Sequence, residues 1–107
     1  MDAALHAIAE PRRRDILRLV AVDELPAGEI ASHFAVSRPA ISQHLRVLKE
    51  AGLVDERRDG TRRLYRARPQ GLADLRAFLE DMWDDSLGRL KAAAELEQRT
   101  TTERKDS

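Results

Sequence analysis

The sequence predicts a mainly α-helical fold carrying one small β-hairpin, and three observations predict it. Between Glu29 and Glu50 a short amphipathic segment and a three-residue turn lead into a second helix opened by Ser37-Arg38-Pro39. Two strand-like runs, Leu53 to Arg58 and Arg62 to Ala67, flank Asp59-Gly60. From Leu72 onward apolar residues recur at three- and four-residue steps, which is the period of a long helix. With two short helices before them, these elements give the order α-α-α-α-β-β-α, a helix-turn-helix followed by a wing.

Leu5, Ile8 and Ala9 suggest a short first helix. Pro11, followed by Ile16, Leu17 and Val20, suggests a second, since proline suits a first helical turn where no N–H partner is needed. Ile30, Ala31 and Phe34 give the third an apolar face, and Ala35-Val36 carry the chain to Ser37, a good N-cap. In the fourth helix Ile41, Leu45 and Leu48 face a core while Gly52 supplies the stop. Its opposite surface holds Arg38, Ser42, Gln43, Arg46 and Lys49, with His44 beside the apolar stripe. Guanidinium, amide, hydroxyl and ammonium groups are what a helix needs to read base edges and hold phosphates in a major groove.

Asp59-Gly60 is a pair favoured where both central turn residues take positive φ, so the strands form a hairpin whose tip is bracketed by Arg57, Arg58, Arg62 and Arg63. Such a tip suits phosphates or a narrow minor groove. In the last helix Leu75, Phe78, Leu79, Met82, Trp83, Leu87, Leu90 and Ala94 mark about 25 residues, roughly 37 Å long. Its stripe is wide enough for one part to pack on its own domain and another on a second subunit. Residues 1–97 are therefore expected to form one DNA-binding and dimerisation domain. Residues 98–107, polar and without apolar period, are expected to be a disordered tail.

The 107-residue chain has 19 basic and 19 acidic residues and a formal net charge of zero. The distribution is uneven: residues 1–37 carry −2, residues 38–68 carry +5 and residues 69–107 carry −3. Because screening acts over about 8 Å at physiological salt, the local patch outweighs the total. No cysteine is present, which excludes disulfides and thiolate metal sites. No signal peptide or membrane span is recognisable, and a cytoplasmic location is expected.

The chain resembles the ArsR/SmtB group of bacterial transcriptional repressors over about Leu5 to Leu90. The residues that carry the likeness are Ala9-Glu10-Pro11-Arg12-Arg13, the run Ser37-Arg38-Pro39-Ala40-Ile41-Ser42-Gln43-His44-Leu45, the run Leu48-Lys49-Glu50-Ala51-Gly52-Leu53-Val54, and the Gly60 wing. The resemblance implies a cytoplasmic repressor that binds an inverted repeat in double-stranded DNA. It also implies a homodimer joined through the first and last helices, with Leu5, Ile8, Leu79, Met82, Trp83, Leu87 and Leu90 at the interface. The expected DNA-contacting set is Ser37, Arg38, Pro39, Ser42, Gln43, His44, Arg46, Lys49, Arg57, Arg58, Arg62 and Arg63.

Arsenic and cadmium sensors of this group carry paired cysteines in a Glu-Leu-Cys-Val-Cys-Asp-Leu pattern. The equivalent run here is Glu24-Leu25-Pro26-Ala27-Gly28-Glu29-Ile30, so Pro26 and Gly28 replace both thiols. Zinc-type sensors use histidines on the last helix, yet none follows His44, and Asp74, Glu95 and Glu97 alone suit zinc poorly. His6 and His33, and the acidic run Glu80, Asp81, Asp84 and Asp85, read better as ordinary surface or core residues than as ligands. No metal, cofactor or catalytic residue is expected. Ser42 and His44 lie about 200° apart on one helix and form no nucleophile–base pair. Two alternatives stand beside the metal-independent repressor: one responsive to a small organic ligand near Trp83 and Phe78, and a winged helix used to bind proteins.

Overall fold

The computed structural model describes the backbone from Met1 to Asp106 and the side chains of residues 1–99. Its elements are α1 (Asp2–Ile8), α2 (Pro11–Val22), β1 (Leu25–Pro26), α3 (Ala27–Ser32), α4 (Arg38–Glu50), β2 (Val54–Asp59), β3 (Arg62–Ala67) and α5 (Pro69–Asp106). The chain divides into two compact units, Met1–Leu75 and Arg76–Ser107.

In the first unit the apolar periodicity becomes one core. Ile16, Ile30, Ile41, Leu45, Leu48, Leu53 and Val54 are fully buried, one or more from α2, α3, α4 and the start of the hairpin. Each side chain of this size contributes about 1.5–3 kcal/mol of transfer free energy. In α1 the buried residues are Ala4 and Ala7, while Leu5 and Ile8 are half-buried. Small residues there let the helix approach α2 and α4 closely.

Local chemistry sets the ends of α4. Ser37 Oγ accepts from the Ala40 N–H at 3.3 Å, and Pro39 occupies the first turn. At the other end Gly52 takes φ 76°, its N–H bonds the Lys49 carbonyl at 3.0 Å, and Leu53 N–H bonds the Leu48 carbonyl at 3.0 Å. That is a Schellman stop, and its usual apolar contact is available because Leu48 and Leu53 are both buried.

The structure departs from the sequence reading in four places. First, β1 joins β3 through Leu25↔Tyr65 and Pro26↔Leu64, making a three-stranded antiparallel sheet of order β1-β3-β2. Two residues carry no legible period. Second, α3 ends at Ser32, and Phe34 lies beyond it in the 33–37 connection with the Arg12 guanidinium 4.9 Å from its ring centre. Third, the hairpin pairs Asp59 with Arg62, so Gly60 and Thr61 are the central turn residues. Only Gly60 has positive φ, at 65°, as a type II′ turn requires. Fourth, α5 starts at Pro69, three residues before Leu72, and its span of 38 residues exceeds the expected 25. The tail expected at 98–107 falls, from residue 100, outside the described side chains.

In the second unit Leu79 is half-buried, while Met82, Trp83, Leu87, Leu90 and Leu96 are 43–66% accessible. Among the described residues no helix is long and apolar enough to cross a membrane.

Candidate nucleic-acid interface

Arg38, Ser42, Arg46 and Lys49 follow one another at four-, four- and three-residue steps and so form one stripe along α4. Opposite them rise Arg62, Arg63 and Tyr65 of β3 and Glu56 of β2, with Pro26 and Ala27 closing one end. Together they line a cleft of about 580 Å³ between the helix and the hairpin. Gln43 and Pro39 are exposed on the adjoining helical edge, one position round from the stripe.

Two features of the bare protein are unfavourable unless an anion arrives. Arg38 is the first residue of α4, where the helix dipole disfavours a cation, and among the described residues it has no acidic partner. Arg58 and Arg63 stand directly opposite one another in the β2–β3 register, a like-charge cross-strand pair. A phosphate group answers both.

Carboxylates hold the other cations on this face, and Arg63 of that cross-strand pair as well. Lys49 Nζ lies 2.9 Å from Glu56 Oε2, and Arg63 Nε lies 3.4 Å from Glu56 Oε1. Arg62 is 3.6 Å from Glu29, and Arg46 is 4.0 Å from Glu50. Tyr65 forms the floor, and burial, reinforced by the Glu56 charge, pushes its phenol above the ordinary value.

Arg57 stands apart from the residues it was grouped with. Successive strand residues point to opposite faces, so it turns away from Glu56 and forms a forked ion pair with Glu24, both Nε contacts at 2.8 Å. Hydrogen bonding from Arg57 holds the Glu24 carboxyl below its usual value. Arg57 is thus committed to joining the sheet to the α2–β1 connection.

His44 turns toward α2, 3.5 Å from Arg13 and 4.0 Å from Glu10. The sequence reading named Arg13 only within the run that carries the family likeness and gave it no role. It is buried at 9% exposure, and its guanidinium donates to the Ala7 carbonyl at 2.6 Å and the His6 carbonyl at 3.1 Å. Ser37 serves α4 as its cap. Among the described residues no group of three or more His, Cys, Asp or Glu side chains is arranged to hold a metal ion.

None of the large exposed apolar residues described lies on α4 or the hairpin. A helix with a polar outer face beside a basic two-stranded wing defines the molecule as a winged helix-turn-helix protein of the DNA-binding class. Residues 10–56 match the family described as bacterial regulatory protein, arsR family. The chain is 49% identical over 86 residues to the HTH-type transcriptional regulator Rv2034 of Mycobacterium tuberculosis, covering 80% of each protein. It is 43% identical over 60 residues to the transcriptional repressor SdpR of Bacillus subtilis, covering 56% of this chain and 67% of that one. Its fold is similar to the homodimeric winged helix-turn-helix DNA-binding domain Mb0332 of Mycobacterium bovis, with a TM-score of 0.64, 34% identity and 78% of each chain covered. The chain belongs to the ArsR family of transcription regulators, which are DNA-binding proteins rather than enzymes.

Proposed function

We propose that this protein is a transcriptional repressor that binds an inverted repeat in duplex DNA as a cytoplasmic homodimer and needs no metal to do so. The observation that carries the reading is the cleft itself, in which Arg38, Arg46 and Lys49 of α4 face Arg62 and Arg63 of the wing. Cations on two walls of one cleft suit a helix in the major groove with a hairpin on the flanking phosphates. Ser42, Gln43 and Pro39 complete the surface presented to the bases, with Ser37 and Arg58 at its margins. Arg57 and His44, committed to Glu24 and to the Arg13 cluster, act by holding the scaffold.

The exposed stripe Met82, Trp83, Leu87 and Leu90, with Leu79, Leu5 and Ile8 half-buried, supports dimerisation through the first and last helices. The homodimeric relative supports it independently. A two-fold dimer sets its reading helices about 34 Å apart, one turn of B-DNA, which is why an inverted repeat is the expected target. Metal independence is supported by Pro26 and Gly28 in place of the sensor cysteines and by the absence of histidine beyond His44. Repression is supported by the likeness to a named repressor.

The test is fluorescence anisotropy on a labelled fragment from upstream of the protein's own gene, against a scrambled duplex, with and without chelator. Selective binding that chelator leaves unchanged, together with reduced transcription from that promoter, is the expected result. Chelator-sensitive binding, or increased transcription, overturns the corresponding part of the reading.

A further inference from the structure

Five cations line the cleft, from Arg38, Arg46 and Lys49 on the helix and Arg62 and Arg63 on the wing. Glu56 is the one acid among the described residues lining it. A carboxylate on the floor of a phosphate-binding groove opposes binding, so its placement calls for a physical reason. Its two oxygens are divided: Oε2 takes Lys49 of α4, and Oε1 takes Arg63 of β3. The Glu56 side chain is 16% exposed against 53% and 59% for Lys49 and Arg63, so solvent reaches the cations but screens the carboxylate less than that of Glu50, which is 72% exposed.

We propose that Glu56 is a specificity-determining residue of the DNA-binding cleft, which ties the reading helix to the wing and withholds Lys49 and Arg63 from phosphates that do not fit both. The inference rests on the DNA-binding reading above. A passing phosphate must draw Lys49 or Arg63 away from a carboxylate already in contact with it, and it meets that carboxylate's own charge. Loose, sequence-independent binding therefore loses two of the cleft's cations. On a fitting duplex the other cations and the helix face hold the backbone in place. Lys49 and Arg63, kept at a fixed separation by one carboxylate, then meet phosphates without giving up rotamer freedom at that moment. The carboxylate thus weakens wrong binding more than right binding, which is how discrimination is gained.

The experiment begins by recovering a tight-binding duplex from a random-sequence pool with the wild-type protein. Affinities for that duplex and its scrambled counterpart are then measured over a salt series for wild type, Glu56→Gln and Asp55→Asn. Asp55→Asn makes the same charge change on the same strand but on its other face. For Glu56→Gln we expect about three- to tenfold tighter binding to the scrambled duplex, with a salt slope steeper by about one to two as Lys49 and Arg63 reach phosphates. Affinity for the selected duplex is expected to change less, so the ratio falls. Equal changes on both duplexes, matching Asp55→Asn, overturn the proposal, as does an unchanged salt slope. Partial unfolding of the variant weakens both duplexes together and leaves their ratio intact, which also counts against it. Failure of the wild type to recover or bind any duplex overturns the DNA-binding reading instead.

Discussion

Arg13 Nε donates to the carbonyl oxygen of Ala7 at 2.6 Å, so a buried guanidinium on α2 closes the last turn of α1. A second donor reaches the His6 carbonyl at 3.1 Å. Helix ends leave carbonyls without intrahelical partners, and here a side chain from the next helix satisfies that of Ala7 and adds a second donor to that of His6, which also takes the Ala9 N–H at 3.3 Å. Replacing Arg13 by Met leaves the Ala7 carbonyl buried and unpaired while the His6 carbonyl keeps the Ala9 N–H at 3.3 Å, and is expected to cost about 2 kcal/mol of stability in chemical denaturation. Arg14 makes a similar bond to the Ile8 carbonyl at 2.8 Å but in the open. Arg14→Met is expected to change stability by no more than about 0.5 kcal/mol, and equal losses would show that burial is not what gives Arg13 its weight.

The Glu24–Arg57 pair predicts a pH dependence. Because Glu24 titrates below its usual value when folded, its contribution is present above the ordinary carboxylate value of 4.5 and is lost as pH falls through the folded value. Melting temperatures from about pH 7 down to about pH 3 should therefore fall more steeply for wild type than for Arg57→Gln, the two converging in acid. Parallel curves would remove the pair from the stability of the sheet.

Gly71, in the first turn of α5, approaches the α4–β2 connection so closely that an added Cβ would lie 1.9 Å from the Gly52 carbonyl oxygen. That neighbour is backbone, fixed by the positive φ of Gly52 and by the Schellman stop. Gly71→Ala should cost about 1–3 kcal/mol despite alanine's better helix propensity. A neutral or stabilising result in a urea titration would mean that the close approach is not kept in solution.

Within the proposed interface the helix and the wing should respond differently to substitution. Gln43→Ala or Arg46→Ala is expected to cost about 1–3 kcal/mol in binding and to relax sequence preference where the side chain reads a base. Uniform weakening on all duplexes would assign it to phosphate. Replacing Arg62 and Arg63 together should lower the salt slope by about one to two, and an unchanged slope would remove the wing from the interface.

If the exposed stripe on α5 is the dimer contact, Trp83→Asp or Leu87→Asp places a charge in an apolar interface. Light scattering should then report a monomer at concentrations where wild type is a dimer, with DNA binding weakened in parallel. A variant that remains dimeric would place the two-fold contact elsewhere.

The sequence by itself determined the elements whose cause is local. Ile41, Leu45 and Leu48 repeat at the helical period, Ser37 and Gly52 carry the cap and the stop, and Gly60 marks the turn, so α4 and the presence of the hairpin were legible, while the pairing of Asp59 with Arg62 set its turn one residue later than the sequence reading put it. The family resemblance and the basic face followed from those same residues. Only the tertiary structure decided how the charges are distributed among partners. It gave Arg57 to Glu24, 33 residues away, and Lys49 and Arg63 to a single carboxylate, while among the described residues Arg38 and Arg58 have no acidic partner. It also buried Arg13 and added β1, whose two residues form a strand only because β3 presents an open edge. The physical reason is range: periodicity and capping act within a few residues along the chain. An ion pair or a sheet edge depends on where distant segments come to rest, which is set by the packing of the whole core.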